Sequence, residues 1–226
     1  MTSGRPVWAY TGGNGPASWG SIDPSFARCA LGTMQSPIDL SAAEPGEHGD
    51  LALTYHLNAL TFTNKGPAVL ITAAPGGVMS YMGRQYDFTE LHFHAPAEHT
   101  IGPDHPHLEG HFVHIGPGRS TAVVAVLFNG VGGDQPVDHL VATIPEPGES
   151  ASDARLRDIQ RFIPLGSKRY RYRGSLTTPP CTEGVEWIVM ADRQPVGAGA
   201  LAAFAESFAP SNRPVQPLND RTVTLG

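Results

Sequence analysis

A chain of 226 residues is long enough to bury a full hydrophobic core, and its length suits a single domain over residues 1–226. A formal net charge of −6 with only 15 Lys and Arg leaves no basic footprint for nucleic acid or an anionic membrane surface, so neither is expected as a partner. No apolar run reaches membrane-spanning length and no basic segment with an apolar core opens the chain, so an export signal was either removed or never existed.

Residues 1–40 are irregular, with Trp8, Tyr10, the turn-rich run Thr11 to Pro16, Trp19 and then Gln35-Ser36-Pro37-Ile38-Asp39. Two Trp in such an arm predict that it packs down on the rest of the molecule. Leu51 to Phe62 and Ala68 to Thr72 read as strands, separated by Asn64-Lys65-Gly66-Pro67 as a turn. Val78 to Phe88 continues the pattern into Glu90-Leu91-His92-Phe93-His94-Ala95-Pro96-Ala97-Glu98-His99, which Glu109-Gly110-His111-Phe112-Val113-His114 answers. Thr121 to Phe128 is nearly all apolar, as a central strand buried on both faces would be. Helical signals are short: Asp134 to Ile144, Ser152 to Phe162 with Ser152 as N-cap, and Gly199 to Phe208. Between the last two lie Tyr170 to Cys181 and the strand Gly184 to Met190. The 26 Gly and 21 Pro are spread without a period and read as turn chemistry.

Alternation along a strand puts Glu90, His92 and His94 on one face and Leu91 and Phe93 on the other. If the second segment pairs alongside, His111 joins the two imidazoles. Three His leave a fourth position open, the ligand count of a catalytic zinc site. A His-X-His pair by itself is commonly an ordinary surface pair. Glu90 and Glu109 favour the metal reading, because metal-bound imidazoles usually donate their other N–H to an acceptor that fixes the tautomer. In this register His99 and His114 turn away from the metal face and read as buried structural residues. His48, His56, His105, His107 and His139 read as surface residues. Cys29 and Cys181 lie too far apart in sequence for a zinc pair, and remain open as a long-range disulfide or as two buried thiols.

Taken together, QSPID at Gln35 to Asp39, HFHAPAEH, EGHFVH, GSLTTPPC and Arg213-Pro214-Val215-Gln216-Pro217 resemble the α-class carbonic anhydrases of the bacterial type over nearly the whole chain. The resemblance implies a mainly β fold: a large, mostly antiparallel twisted sheet with few short peripheral helices and zinc on its central strands. It implies a zinc lyase that hydrates CO2 reversibly to bicarbonate and a proton and is sensitive to sulfonamides. His92, His94 and His111 are then the zinc ligands, with Glu90 and Glu109 bonded to His92 and His111. Thr177 accepts a hydrogen bond from the hydroxide nucleophile and passes its own hydrogen to Glu98, so that only a protonated atom fits beside the Thr lone pair. Val113, Val123, Leu176 and Trp187 match the CO2 pocket, although each also reads as plain core, and Thr178 would bind bicarbonate or simply precede the turn at Pro179.

By the same resemblance Cys29 and Cys181 pair, which implies an oxidising compartment and a periplasmic or secreted protein. The bonds before Pro37 and Pro180 are expected to be cis, and a homodimer follows by analogy with bacterial relatives. The chain departs from the family at one position. Its turn Asn64-Lys65-Gly66-Pro67 has proline where efficient members carry the His that ferries protons out, which predicts proton release dependent on buffer. Two rivals are a catalytically weak or silent binding module of the same family, disfavoured by the complete set of three His, Glu98 and Thr177, and a cupin-like metal oxidase, in which GSLTTPPC would have no role.

Overall fold

The computed structural model describes residues 7–66, 68–131, 135–155, 157–208 and 210–226. In chain order the strands are β1 Glu44–Pro45, β2 Leu51–Tyr55, β3 Leu60–Asn64, β4 Val69–Ala73, β5 Gly77–Tyr81, β6 Arg84–His94, β7 Leu108–Ile115, β8 Thr121–Val131, β9 Ser150–Asp153, β10 Arg169–Ser175, β11 Glu183–Met190, β12 Gln194–Gly197 and β13 Thr224–Leu225. They form one sheet in the order β1-β13-β10-β11-β8-β7-β6-β4-β3-β9, with β12 added to β8 and the pair β2 and β5 added to β6. Pairing is mostly antiparallel. The parallel pairs among the described residues are β1 with β13 and β8 with β11 and β12. Helices are short: α1 Trp19–Ile22, α2 Arg28–Leu31 and α3 Ala198–Phe208. The expected mainly β architecture is the one observed.

Why the sheet centres on β8 is visible in its side chains. Val124, Val126 and Phe128 enter one apolar cluster with Phe112, Phe93 and Leu91, while Val123, Ala125 and Leu127 enter a second with Trp187, Val189 and Tyr172. A strand apolar on both faces is stable only between two such layers. The Met82-Gly83 turn, with positive φ at both residues, closes the β5–β6 hairpin in the form that matches strand twist and fixes the register from Tyr81 opposite Arg84. Further on, an extra residue is inserted between Phe88 and Glu90 where β6 pairs with β7. This bulge keeps Phe88 on the same face as Leu91 and Phe93 despite the odd spacing.

Several expectations need correction. Ser152 to Phe162 is not a helix: Ser150–Asp153 is the edge strand β9, and a single 3-10 turn spans Ile159–Phe162. The apolar pattern of Ala154, Leu156, Ile159 and Phe162 lost to hydroxyl pairing across the strands, Thr61 with Ser152 and Thr63 with Ser150, each at 3.0 Å. Leu51 to Phe62 is two strands rather than one, because the chain leaves its pairing with β5 after Tyr55 and joins β4 from Leu60. Asp134 lies outside the described residues, and the turn that follows is a 3-10 helix, Pro136–Thr143. His48 is half-buried rather than on the surface, its Nε2 2.8 Å from Thr224 Oγ1.

Cys29 and Cys181 form a disulfide, which removes the alternative of two thiols. The bridge pins α2 and the N-terminal arm, where Trp8, Tyr10 and Trp19 stack edge to face, onto the loop after β10. The peptide bonds before Pro37 and Pro180 are cis as expected, and so is the bond between Ala95 and Pro96.

Candidate metal centre

Strand register brings the histidines together. His92 stands opposite His111, His94 opposite Glu109 and Glu90 opposite Val113. The row continues across the sheet, His111 beside Ala125, and Val113 beside Val123 and then Trp187. Residues directly opposed on paired strands share a face, so the three imidazoles and the apolar side chains beside them form one surface. Ring centroids lie 5.1 Å apart for His92 and His94, 5.2 Å for His92 and His111, and 4.5 Å for His94 and His111. One nitrogen from each ring falls within 4.8 Å of the others.

The outer nitrogens are tied back. His94 Nδ1 lies 2.6 Å from the Ser211 carbonyl, and His111 Nε2 lies 2.8 Å from Glu109 Oε1. His92 Nδ1 approaches the part-exposed Glu90 Oε1 at 3.1 Å but off hydrogen-bond alignment. What is left is His94 Nε2, buried with no hydrogen-bond partner, 3.5 Å from the equally unbonded Glu98 Oε2. An orphaned acceptor of that kind normally costs free energy, and a metal ion is one of the few groups that removes the cost. Burial holds His111 down to about 4 and His94 well below its ordinary value, and the neighbouring imidazoles add to the effect on His94. Both rings are therefore neutral at neutral pH, the state that ligates metal.

Glu109 anchors the centre from beneath. Its Oε2 accepts from the backbone N–H groups of Glu98 and His99, each at 2.8 Å, and its Oε1 lies 2.6 Å from His99 Nδ1 as well as against His111. Burial alone would raise the Glu109 carboxyl, but the two imidazoles and their hydrogen bonds outweigh it and hold the group well below the carboxylate range. His99 is thus buried, as expected, yet not turned away: it shares Glu109 with His111 and reaches Tyr172 Oη at 2.7 Å with its other nitrogen. His114 does face the opposite side, where it meets Tyr55 Oη at 2.8 Å.

Thr177 is buried in the loop after β10, and Glu98 is fully enclosed. Burial and the neighbouring Glu109 push the Glu98 carboxyl well up, while the Arg213 backbone N–H, the Thr177 hydroxyl and the Arg213 charge pull it back. Glu98 Oε1 accepts that Arg213 N–H at 2.8 Å. Its Oε2 has no hydrogen-bond partner and lies 3.5 Å from His94 Nε2. Trp187 and Val123 are buried, while Val113, Leu176 and Thr178 are partly open. Pro67 lies outside the described residues; the turn before it is closed by Asn64 Oδ1 accepting from Gly66 N–H at 2.9 Å.

Some contributors carried no signal of their own in the sequence. Ser211 acts through its backbone carbonyl, which no side-chain motif announces. Arg213 belongs to a recognisable run, but its burial could not be read: its guanidinium is spent on Gln35, Ser36 and Cys29 beneath the arm, and lies 5.8 Å from the Trp19 ring. Tyr10 packs edge-on to His94, with ring centroids 6.3 Å apart.

Comparison with known proteins agrees with this geometry. A carbonic anhydrase of Nostoc sp. is 36% identical over 225 residues, covering 96% of this chain and 84% of that protein. One from Pectobacterium carotovorum is 33% identical over 218 residues, covering 96% and 89%. The α-carbonic anhydrase from Thermovibrio ammonificans, solved in complex with the inhibitor sulfanilamide, is 35% identical with a TM-score of 0.92, covering 98% of this chain and 100% of that one. The model of the eukaryotic-type carbonic anhydrases matches residues 14–226, from the N-terminal arm through the last strand, and the chain belongs to that family of enzymes.

Proposed function

We propose that His92 and His94 through Nε2, and His111 through Nδ1, hold one Zn2+, and that the protein hydrates CO2 reversibly to bicarbonate and a proton. The observation that carries this reading is the division of the imidazole nitrogens: the outer ones of His94 and His111 are bonded to oxygen acceptors and that of His92 approaches Glu90 at 3.1 Å, while one nitrogen of each ring converges on a common place and that of His94 is left without a hydrogen bond. Zinc held there would supply the Lewis acidity that makes a hydroxide nucleophile available at neutral pH, an effect for which this family is the reference case.

The chain's own residues do the rest. Thr177 orients the nucleophile by accepting its hydrogen bond and donating its own hydroxyl hydrogen to Glu98. That role requires Glu98 as an acceptor. Burial and Glu109 oppose its ionisation, whereas the Arg213 N–H and a nearby cation favour it. Val113, Val123, Leu176 and Trp187 give apolar CO2 a dry wall beside the histidines, and Thr178 offers a hydroxyl to the charged product. Water-filled space must carry the proton away, because proline at position 67 cannot accept one.

The reading extends to a single catalytic domain over residues 1–226, which the family match over 14–226 supports, and to the periplasm or cell exterior, which the disulfide supports; a homodimer rests on analogy with bacterial members of the family alone. Metal analysis and a CO2 hydration assay test it together. One zinc per chain, with activity abolished by sulfanilamide or by His111→Ala, is the expected result. A protein that binds no zinc, or binds it and leaves CO2 untouched, would instead be the silent module.

A further inference from the structure

Among the described residues, buried side-chain polar atoms without a hydrogen-bond partner gather in two neighbourhoods. Tyr10 Oη, His92 Nδ1, His94 Nε2 and Glu98 Oε2 belong to the metal centre, and His114 Nδ1 stands alone on the far face. The remaining three, His48 Nδ1, Tyr81 Oη and Arg169 Nε, surround a different place. Arg171 lies opposite Ile188, Ile188 beside Val124, and Val124 opposite Phe112, so this place is on the face of the sheet turned away from His111. Nothing in the proposed reaction uses it.

A cavity of about 320 Å³ opens there, lined among others by Tyr81, Arg84, Tyr86, Arg171, Arg173 and Glu186. Three guanidinium groups face one carboxylate in a chain whose net charge is −6. Glu186 is engaged with Arg171 through Oε1, and its Oε2 is 3.7 Å from Arg173 Nε, too far for a hydrogen bond. Arg84 has neither a hydrogen bond nor an ion pair among the described residues. The Arg171 guanidinium lies 6.0 Å from the centroid of the Tyr81 ring, and Tyr81 itself is only 2% exposed. Behind them Arg169 gives Nη2 to the Gly49 carbonyl and His48 meets Thr224 with Nε2, which leaves Arg169 Nε and His48 Nδ1 unspent. Arg169 and Arg171 together hold the His48 imidazole below its ordinary value, after burial, so the groups are close enough to act on one another.

A phenol and a guanidinium N–H are donors, and His48 Nδ1 is a donor in one tautomer. Unspent donors beside surplus positive charge call for a ligand that only accepts. Guanidinium forks match tetrahedral oxyanions bidentately, with charge-assisted bonds stronger than neutral ones. We propose that this cavity binds a small dianionic oxyanion of the phosphate or sulfate class, held by Arg84, Arg171 and Arg173, with the Tyr81 hydroxyl as a further donor. The bland occupant would be ordered water, which also satisfies buried polar groups.

Titration of inorganic phosphate into the zinc-loaded protein, at constant ionic strength and with sulfanilamide saturating the histidine centre, tests the site calorimetrically. A one-site isotherm that survives sulfanilamide is expected. Arg84→Ala, at an exposed position, should weaken it about tenfold or more, and Tyr81→Phe, which keeps the ring, should weaken it measurably while thermal melting in chloride stays unchanged. CO2 hydration should be unaffected in both variants. Absence of saturable binding up to tens of millimolar phosphate, or an isotherm that both variants leave intact, would overturn the proposal in favour of water.

Discussion

At the scale of single residues, Glu109 bears the greatest burden. Four donors converge on its two oxygens, two from backbone and two from imidazoles, and the side chain is wholly enclosed. A carboxylate can accept all four, but an amide of the same shape can accept at only one end and must point N–H groups at other donors. Glu109→Gln is therefore expected to weaken zinc affinity about 10–100-fold, because His111 loses the acceptor that fixes its tautomer. Competition against a chelator of known affinity measures this directly. Equal affinity in wild type and variant would show that His111 is held by its packing against Trp187 rather than by Glu109. Much of this residue-level detail could be read in advance. Period-two alternation plus one assumption, that the two His segments pair, yields the triad and both acidic neighbours. His99 lies beyond the end of β6 at His94, where residue parity no longer sets which way a side chain points.

Among the elements, those built on period-two pattern were legible and those built on loop closure were not. The apolar run at β8 identifies itself, since no other environment than the middle of a sheet covers both faces. Ser152 to Phe162 reads as helical because four apolar residues, Ala154, Leu156, Ile159 and Phe162, follow a capping Ser152, while the hydroxyl ladder that makes Ser150–Asp153 an edge strand depends on which strand lies next to it, a non-local fact. The loop from Leu176 to Cys181 depends in the same way on a distant element. Cys181 has a positive φ of 55° and is bonded to Cys29, 152 residues away, which couples the Thr177 loop to α2. Closing so long a loop reduces the entropy of the unfolded chain by about 5 kcal/mol in the chain-entropy model, and removal of native bridges typically costs about 2–5 kcal/mol. The double variant Cys29→Ser, Cys181→Ser should thus unfold at lower urea concentration, and reducing agent should shift the wild type but not the variant. Activity should fall with it, since Thr177 would lose its anchor. Coincident urea midpoints for oxidised and reduced wild type would mean that the arm is held by Arg213 and the Trp19 cluster alone.

For the molecule as a whole, the histidine centre lies on one face of the sheet, and on the proposed reading the path from that centre to bulk water decides turnover. A catalyst that makes one proton per cycle must export it, and imidazole suits this relay because its ordinary pKa of about 6.5 makes transfers nearly balanced in both directions. The turn that would present such a group is Asn64-Lys65-Gly66-Pro67. Asn64 is buried and donates Nδ2–H to the Pro145 carbonyl at 2.9 Å, so it is a structural part of the turn rather than a relay. Lys65 is exposed and carries an amine rather than an imidazole. Leu70, in β4 just beyond the turn, adds no polar group that could hold a chain of water. On the proposed reading the capture of CO2 needs none of these, because that reading rests it on the histidines, Thr177 and the apolar wall. The expectation is that kcat in dilute buffer is low and climbs steeply with the concentration of an imidazole buffer, while kcat/KM hardly changes. Pro67→His should raise kcat in dilute buffer and flatten the buffer dependence, and a melting curve like that of the wild type would show that the turn accepts the change. A wild-type kcat already high and indifferent to buffer would mean that another group exports the proton, and the proline would then be only a turn residue.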